Sequence, residues 1–219
     1  MTPVEKFKKD LLIARYWLTG RAASDPRFYV ALEAMEHAAK YHTGFRKDGV
    51  TPEFNHQVAI FLFVKTLEPH LVHPMETYAT IFLHDLAEDY AKEHPEARYD
   101  YIQAKFGTLI CEATYRMTKK YMGAKKDINQ YFLEISQCPI ASIAKPADRL
   151  INQGTMTGVF TLDKQVEYIG ESKDNFFPAI KRARRMFPRQ DGAYENIKSA
   201  LWSQINLLER AIEAERALL

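Results

Sequence analysis

Apolar residues recur every three to four positions along most of this chain, which is the spacing typical of amphipathic α-helices. No segment alternates apolar and polar residues as a half-buried strand does. Near the C-terminal end, one apolar stripe is expected to pack in the core: Ile197, Leu201, Ile205, Leu208 and Ile212. We therefore predict an all-α protein, a bundle of about ten helices with these approximate bounds: 4–19, 26–42, 55–68, 75–90, 97–106, 108–118, 127–136, 140–153, 162–187 and 193–217.

Composition narrows the class of protein. The 219 residues include 47% hydrophobic residues, enough for a sizeable core, and a net charge of +2 gives no general attraction to nucleic acid. The two cysteines, Cys111 and Cys138, are too few for a disulfide framework and predict reduced thiols. No run approaches the roughly 20 apolar residues of a membrane span, and residues 1–10 lack the apolar core of a signal peptide. We expect a cytoplasmic protein whose partners include neither nucleic acid nor membrane.

Ionisable residues gather at the end of one predicted helix, in the segment 80–90. Asp85 and Asp89 are four positions apart and share a helix face, and His84 and Glu88 are related in the same way. Three neighbouring carboxylates repel one another, and a divalent metal with a polarised water would turn them into a site. The alternative interpretation is a solvated helix end that is merely acidic.

Two further segments supply residues that suit the same metal. His56 begins an apolar predicted helix, and Asp148 lies just inside another. Together with His84 and Asp85 they form a set of two imidazoles and two carboxylates, which suits manganese, iron or zinc. Taken singly, His56 also fits a packed histidine, and Asp148 fits a surface charge. The order H…HD…D, however, is the pattern of the HD phosphohydrolase superfamily.

Basic residues occur in turns that could receive an anion. Arg46 and Lys47 stand in a turn with Gly49, where two long cations suit phosphate and an arginine can stack on a base. A solvated polar loop is the alternative. Two basic segments could guide an anionic substrate: the loop 119–126 and the cations of 181–185. Neither is interleaved with aromatic residues in the way that binding of single-stranded nucleic acid requires.

In this order, the segments resemble the hydrolase domain of the Rel/Spo alarmone enzymes, and most of all the stand-alone small alarmone hydrolases. Six motifs carry the resemblance: AMEHAAKYH (34–42), RKDGVTPEFNH (46–56), FLHDLAED (82–89), KFGTLICEATYRMTK (105–119), KPADRLIN (145–152) and YIGESKDNFFPAIKRAR (168–184). The resemblance covers about 26–187 and implies one HD-domain hydrolase over 1–219, with the helices 4–19 and 193–217 as additions.

The resemblance implies an activity. Such enzymes remove the 3′-pyrophosphate from ppGpp and pppGpp, giving GDP or GTP and pyrophosphate, with Mn²⁺ as the usual metal. Adenosine alarmones are a further candidate substrate, and the remaining chain is too short for a synthetase domain. Two other hypotheses stay open: another HD-family nucleotide phosphohydrolase, and a non-catalytic alarmone-binding module. Whether the chain forms a homo-oligomer is also left open.

The resemblance also implies roles for residues of this chain. Four residues would hold the metal: His56, His84, Asp85 and Asp148. Two carboxylates would orient and deprotonate the attacking water: Glu88 and Asp89. Five residues would contact the nucleotide: Arg46 on guanine, Lys47 on a phosphate, Asn152 on the ribose or 3′-phosphate, and Thr155 and Tyr168 around the nucleoside.

The chain departs from the family pattern at several positions. Gln57 replaces the proline that usually follows the first histidine, and Pro146 replaces an aliphatic residue. Asp48 lies beside the two cations of the turn and weakens their field. Lys145 is expected on the far side of Asp148, in a structural role. None of these departures removes a metal ligand or a catalytic carboxylate, so they bear on substrate range.

Overall fold

The computed structural model describes residues 1–217 and confirms the predicted all-α bundle. Each of the ten predicted segments contains an α-helix, and two of them contain two. The predicted end of 26–42 was too late, because α2 ends at Ala38, and the end of 55–68 belongs to a 3₁₀-helix, Lys65–His70. The α-helices are α1 (Pro3–Ser24), α2 (Tyr29–Ala38), α3 (Asn55–Val64), α4 (Pro74–Leu83), α5 (Leu86–Asp89), α6 (Tyr99–Phe106), α7 (Thr108–Met117), α8 (Ile128–Ser136), α9 (Ala141–Gly154), α10 (Leu162–Glu171), α11 (Phe177–Met186) and α12 (Asp191–Arg216).

Side-chain caps fix several of the helix starts. Thr2 accepts a hydrogen bond from the backbone of Glu5, whose side chain accepts one in return, so α1 begins in a capping box. Asp127 caps α8 and Thr161 caps α10 through their side-chain oxygens. These caps satisfy backbone N–H groups that have no partner inside the helix.

Helices α3, α4 and α9 form the centre of the bundle. Phe61 of α3 packs against Tyr78 and Phe82 of α4, with ring centroids 5.2 Å apart in both pairs. Helix α1 packs on α2 and α3, and α12 packs along α9. The apolar stripe of α12 is buried throughout, which confirms that it belongs to the core.

The basic loop between α7 and α8 contains a short hairpin that the sequence did not predict. Strand β1 (Lys120–Tyr121) pairs antiparallel with β2 (Ala124–Lys125). Met122 and Gly123 join the strands with φ angles of 51° and 94°, and positive φ at both turn residues is the geometry of a tight hairpin. The strands are too short to show an alternating pattern, which is why the segment appeared to be a loop.

The two interruptions lie where predicted helices were continuous. The segment 75–90 breaks at His84 and Asp85, which form a turn between α4 and α5. The segment 162–187 contains a π-helical turn, Ser172–Phe176, between α10 and α11. Cys111 and Cys138 are both buried and free, as predicted. Within residues 1–217, no helix combines the length and apolar character needed to cross a membrane.

Candidate metal centre

A cleft of about 610 Å³ opens beside α3, α9 and the turn after α4. Of the eleven site residues that the sequence predicted, ten line this cleft, and His84 lies buried beneath it, 1% exposed. The ten that line it are Arg46, Lys47, His56, Asp85, Glu88, Asp89, Asp148, Asn152, Thr155 and Tyr168. The fold therefore brings together side chains that are up to 122 positions apart in the sequence.

The predicted metal ligands converge at the floor of the cleft. His56, His84 and Asp85 each offer one ligand atom, and these atoms lie within 4.8 Å of one another. Asp148 stands beside this group, because its Oδ1 lies 2.8 Å from Nε2 of His56 and 3.9 Å from Nε2 of His84. Three separate elements, α3, the turn after α4 and α9, thus deliver two imidazoles and two carboxylates to one point.

The orientation of His84 suits a metal ligand. Its Nδ1 lies 2.8 Å from the carbonyl oxygen of Ile81, so Nδ1 donates to this carbonyl and the neutral ring keeps its lone pair on Nε2. That Nε2 is buried and makes no hydrogen bond with any described residue, although Oδ1 of Asp85 is only 3.1 Å away. A lone pair facing carboxylate oxygens is an arrangement that a bound cation stabilises.

The pKa values of the two histidines move in opposite directions. Burial lowers the pKa of His84, but the carboxylates of Asp85 and Asp148 outweigh burial, and the pKa is raised overall. Burial lowers the pKa of His56, and its contact with Asp148 does not reverse the shift. The same carboxylates that would attract a metal ion therefore attract a proton to His84 when no metal is bound.

Lys145 lies in the cleft, and the expectation that it sits on the far side of Asp148 was wrong. Its Nζ is 2.7 Å from Oδ2 of Asp148, because residues three apart in α9 share a helix face. Burial alone would raise the pKa of Asp148, but Lys145 and His56 hold it well below the usual range. Asn152 donates to Oδ1 of Asp148 at 2.6 Å and accepts from Arg46 at 3.0 Å, which ties the basic turn to α9.

Glu88 and Asp89 lie at the mouth of the cleft, beyond the ligand group. Oε2 of Glu88 accepts a hydrogen bond from the backbone N–H of Lys119, 3.1 Å away. The residue directly before β1 thus holds this carboxylate in place. Partial burial of Asp89, together with the charges of Asp85, Glu88 and Glu53, raises the pKa of Asp89 to about 7. A carboxyl group that is half ionised near neutral pH can accept or donate a proton during catalysis.

One wall of the cleft combines cations with aromatic rings. Nζ of Lys47 lies 4.8 Å from the ring centroid of Phe160, and the guanidinium of Arg149 lies 4.3 Å from that of Tyr168. Thr155 is exposed, and its hydroxyl donates to backbone carbonyls one turn earlier in the chain. Flat rings beside cations can hold a nucleobase next to its phosphates.

An ion-pair network that sequence reasoning missed supports this wall. Glu171 pairs with Arg149 and, at 2.9 Å, with Nζ of Lys119 from the hairpin approach. Arg149 follows Asp148 directly, which is a signal that could have pointed to the cleft, whereas nothing in the sequence linked Lys119 to Glu171. The network connects α9 and α10 with the residue that precedes the hairpin.

The lining charges leave room for one divalent cation. Five lysine and arginine side chains and seven aspartate and glutamate side chains line the cleft, so its formal charge is −2. One divalent ion would balance that charge, and clustered carboxylates without a cation are unfavourable.

A comparison with protein-family models and with curated proteins found no match to this chain. The chemical character of the site is therefore inferred from its residues.

Proposed function

We propose that this protein is a cytoplasmic, Mn²⁺-dependent hydrolase that removes the 3′-pyrophosphate from ppGpp and pppGpp, giving GDP or GTP and pyrophosphate. The observation that carries the proposal is the convergence of His56, His84, Asp85 and Asp148 at the floor of a cleft. The predicted nucleotide contacts line the same cleft. Adenosine alarmones, which carry the same 3′-pyrophosphate, are a second substrate class for this cleft.

The four ligand residues fit a divalent metal. His84 presents a buried, unbonded Nε2 towards carboxylate oxygens, judged over the described residues, and the mixed donor set suits Mn²⁺. His56, His84, Asp85 and Asp148 would hold the ion. When bound, the ion would lower the pKa of a water molecule and offset the charge of the phosphates.

Glu88 and Asp89 supply the proton chemistry. Water adds to the phosphorus next to the ribose 3′-oxygen, the bond from that phosphorus to the 3′-oxygen breaks, and pyrophosphate leaves. Asp89 takes a proton from the attacking water, and the neighbouring carboxylates of Glu88 and Glu53 make it a stronger base than an ordinary aspartate. Glu88, held by the backbone of Lys119, orients the water. The departing 3′-oxygen takes up the proton that Asp89 removed from the water and becomes the hydroxyl group of GDP or GTP.

The remaining cleft residues bind and orient the nucleotide. Arg46 offers a flat guanidinium for the guanine, and Lys47 offers a positive charge for a phosphate. Asn152, already bonded to both Arg46 and Asp148, lies where the base-binding turn meets the ligand group and would contact the ribose or 3′-phosphate. A substrate with four or five phosphates needs these cations to offset its charge.

The test is product analysis after incubation with ppGpp and MnCl₂. Ion-exchange chromatography should show GDP and pyrophosphate from the wild type, and from the surface control Asp163→Asn, whose side chain is 97% exposed. Asp85→Ala should give neither product. If the wild type binds ppGpp tightly but leaves it intact, the enzyme proposal is overturned in favour of a binding module. Turnover of dNTPs or nucleoside monophosphates, with ppGpp untouched, would favour another HD-family phosphohydrolase.

A further inference from the structure

The side chain of Gln57 is a buried polar group in the lining of the cleft. It follows His56 in α3 and is 1% exposed. A buried amide is unfavourable unless its hydrogen-bonding groups find partners. The contacts of this amide therefore indicate what the residue does.

One half of the amide binds a predicted metal ligand. Nε2 of Gln57 donates to Oδ2 of Asp85 at 3.2 Å, while the other carboxylate oxygen, Oδ1, lies 3.1 Å from Nε2 of His84. The two oxygens of Asp85 are thus divided between a hydrogen-bond donor and the ligand group. The opposite orientation of the amide would place its oxygen against the carboxylate, where the two would repel, so this contact fixes the amide.

The other half of the amide has no partner. Oε1 of Gln57 is buried and makes no hydrogen bond with any residue in the range 1–217. A methionine of similar length would fill the same space without burying an unpaired carbonyl oxygen. Packing alone therefore does not account for a glutamine here, whereas its hydrogen bond to Asp85 does.

We propose that Gln57 is a positioning residue of the metal centre, which holds Oδ2 of Asp85 and keeps Oδ1 directed at the ligand group. The inference rests on the metal centre of the proposed function. Partners of ligating side chains fix the orientation of those ligands and strengthen metal binding. Proline, which the resembled family usually carries at this position, has no side-chain donor and could not make this contact.

The experiment is a titration of the metal-free protein with MnCl₂ alone, in which electron paramagnetic resonance measures free Mn²⁺. Gln57→Met should raise the dissociation constant for Mn²⁺ about 10- to 100-fold. Gln153→Met is the matched control, because Gln153 is also buried with one unpaired amide atom and does not line the cleft. The control should bind Mn²⁺ like the wild type. The unfolding temperature of every variant is measured in EDTA.

The outcomes separate this inference from the proposed function. Wild-type protein that fails to bind Mn²⁺ would overturn the metal centre and this inference with it. If the wild type and Gln57→Met bind Mn²⁺ equally well, the inference alone is overturned. The same holds if Gln57→Met unfolds at a lower temperature in EDTA but keeps the wild-type affinity for Mn²⁺. Should Gln57→Met not fold, Gln57→Asn keeps a buried amide but withdraws the donor from Asp85, and the same weakening is expected.

Discussion

Replacing Asp148 by asparagine is expected to destabilise the metal-free protein by about 3 kcal/mol. The carboxylate lies 2.7 Å from Nζ of Lys145 and 2.8 Å from Nε2 of His56. The side chains of Asp148 and Lys145 are only 7% and 17% exposed, so the substitution leaves a largely buried ammonium unpaired. Removing one partner of a buried pair costs about 3–5 kcal/mol, and the lower end applies because the asparagine carbonyl still accepts a hydrogen bond.

The pH dependence of this effect has a definite sign. Because the folded pKa of Asp148 lies well below 3.8, its contribution is fully present above that unfolded value and is lost as the pH falls. The difference between wild type and variant should therefore shrink in acid. Because Asp148 also raises the pKa of His84, the difference should be smaller at pH 8 than at pH 6. Urea denaturation in EDTA, followed by circular dichroism, measures it, and a fall of about 6–12 °C in melting temperature should accompany it.

A double-mutant cycle identifies the cause. Lys145→Met alone and combined with Asp148→Asn should show a coupling energy, because the two side chains contact each other directly. If Asp148→Asn were as stable as the wild type in EDTA at pH 7, the reasoning would be refuted. Repulsion between Asp148 and Asp85 would then outweigh the attraction of Lys145.

Three further predictions concern the metal, the proton and the nucleotide. Mn²⁺ at 100 times its dissociation constant should stabilise the wild type by about 2.7 kcal/mol, and Asp148→Asn should abolish this shift in a thermal melt. Asp89→Asn should stabilise the metal-free protein increasingly from pH 4 to 7 and by a constant amount above, since a raised carboxyl pKa penalises ionisation in the fold; urea titrations at several pH values test this. Arg46→Ala should raise KM for ppGpp about tenfold with kcat little changed, in steady-state kinetics.

The sequence by itself determined the helices and the chemical character of the site. The spacing of apolar residues predicted all ten helical segments, because residues three and four positions apart share a helix face and this spacing is visible in the sequence. It also placed His84, Asp85, Glu88 and Asp89 within one segment. The bend at His84 and Asp85 and the two-residue strands of the hairpin were missed, since features that short leave no periodic pattern.

Only the tertiary structure decided which distant residues meet. Gln57 contacts Asp85 across 28 positions, and Arg46 contacts Asn152 across 106, through the packing of α3, α4 and α9. The three-residue spacing of Lys145 and Asp148 puts both on one face of α9, but only the packing of α9 decided that this face lines the cleft. Helix formation depends on near neighbours, whereas the meeting of charged groups depends on the summed packing of the whole core, which no local pattern encodes.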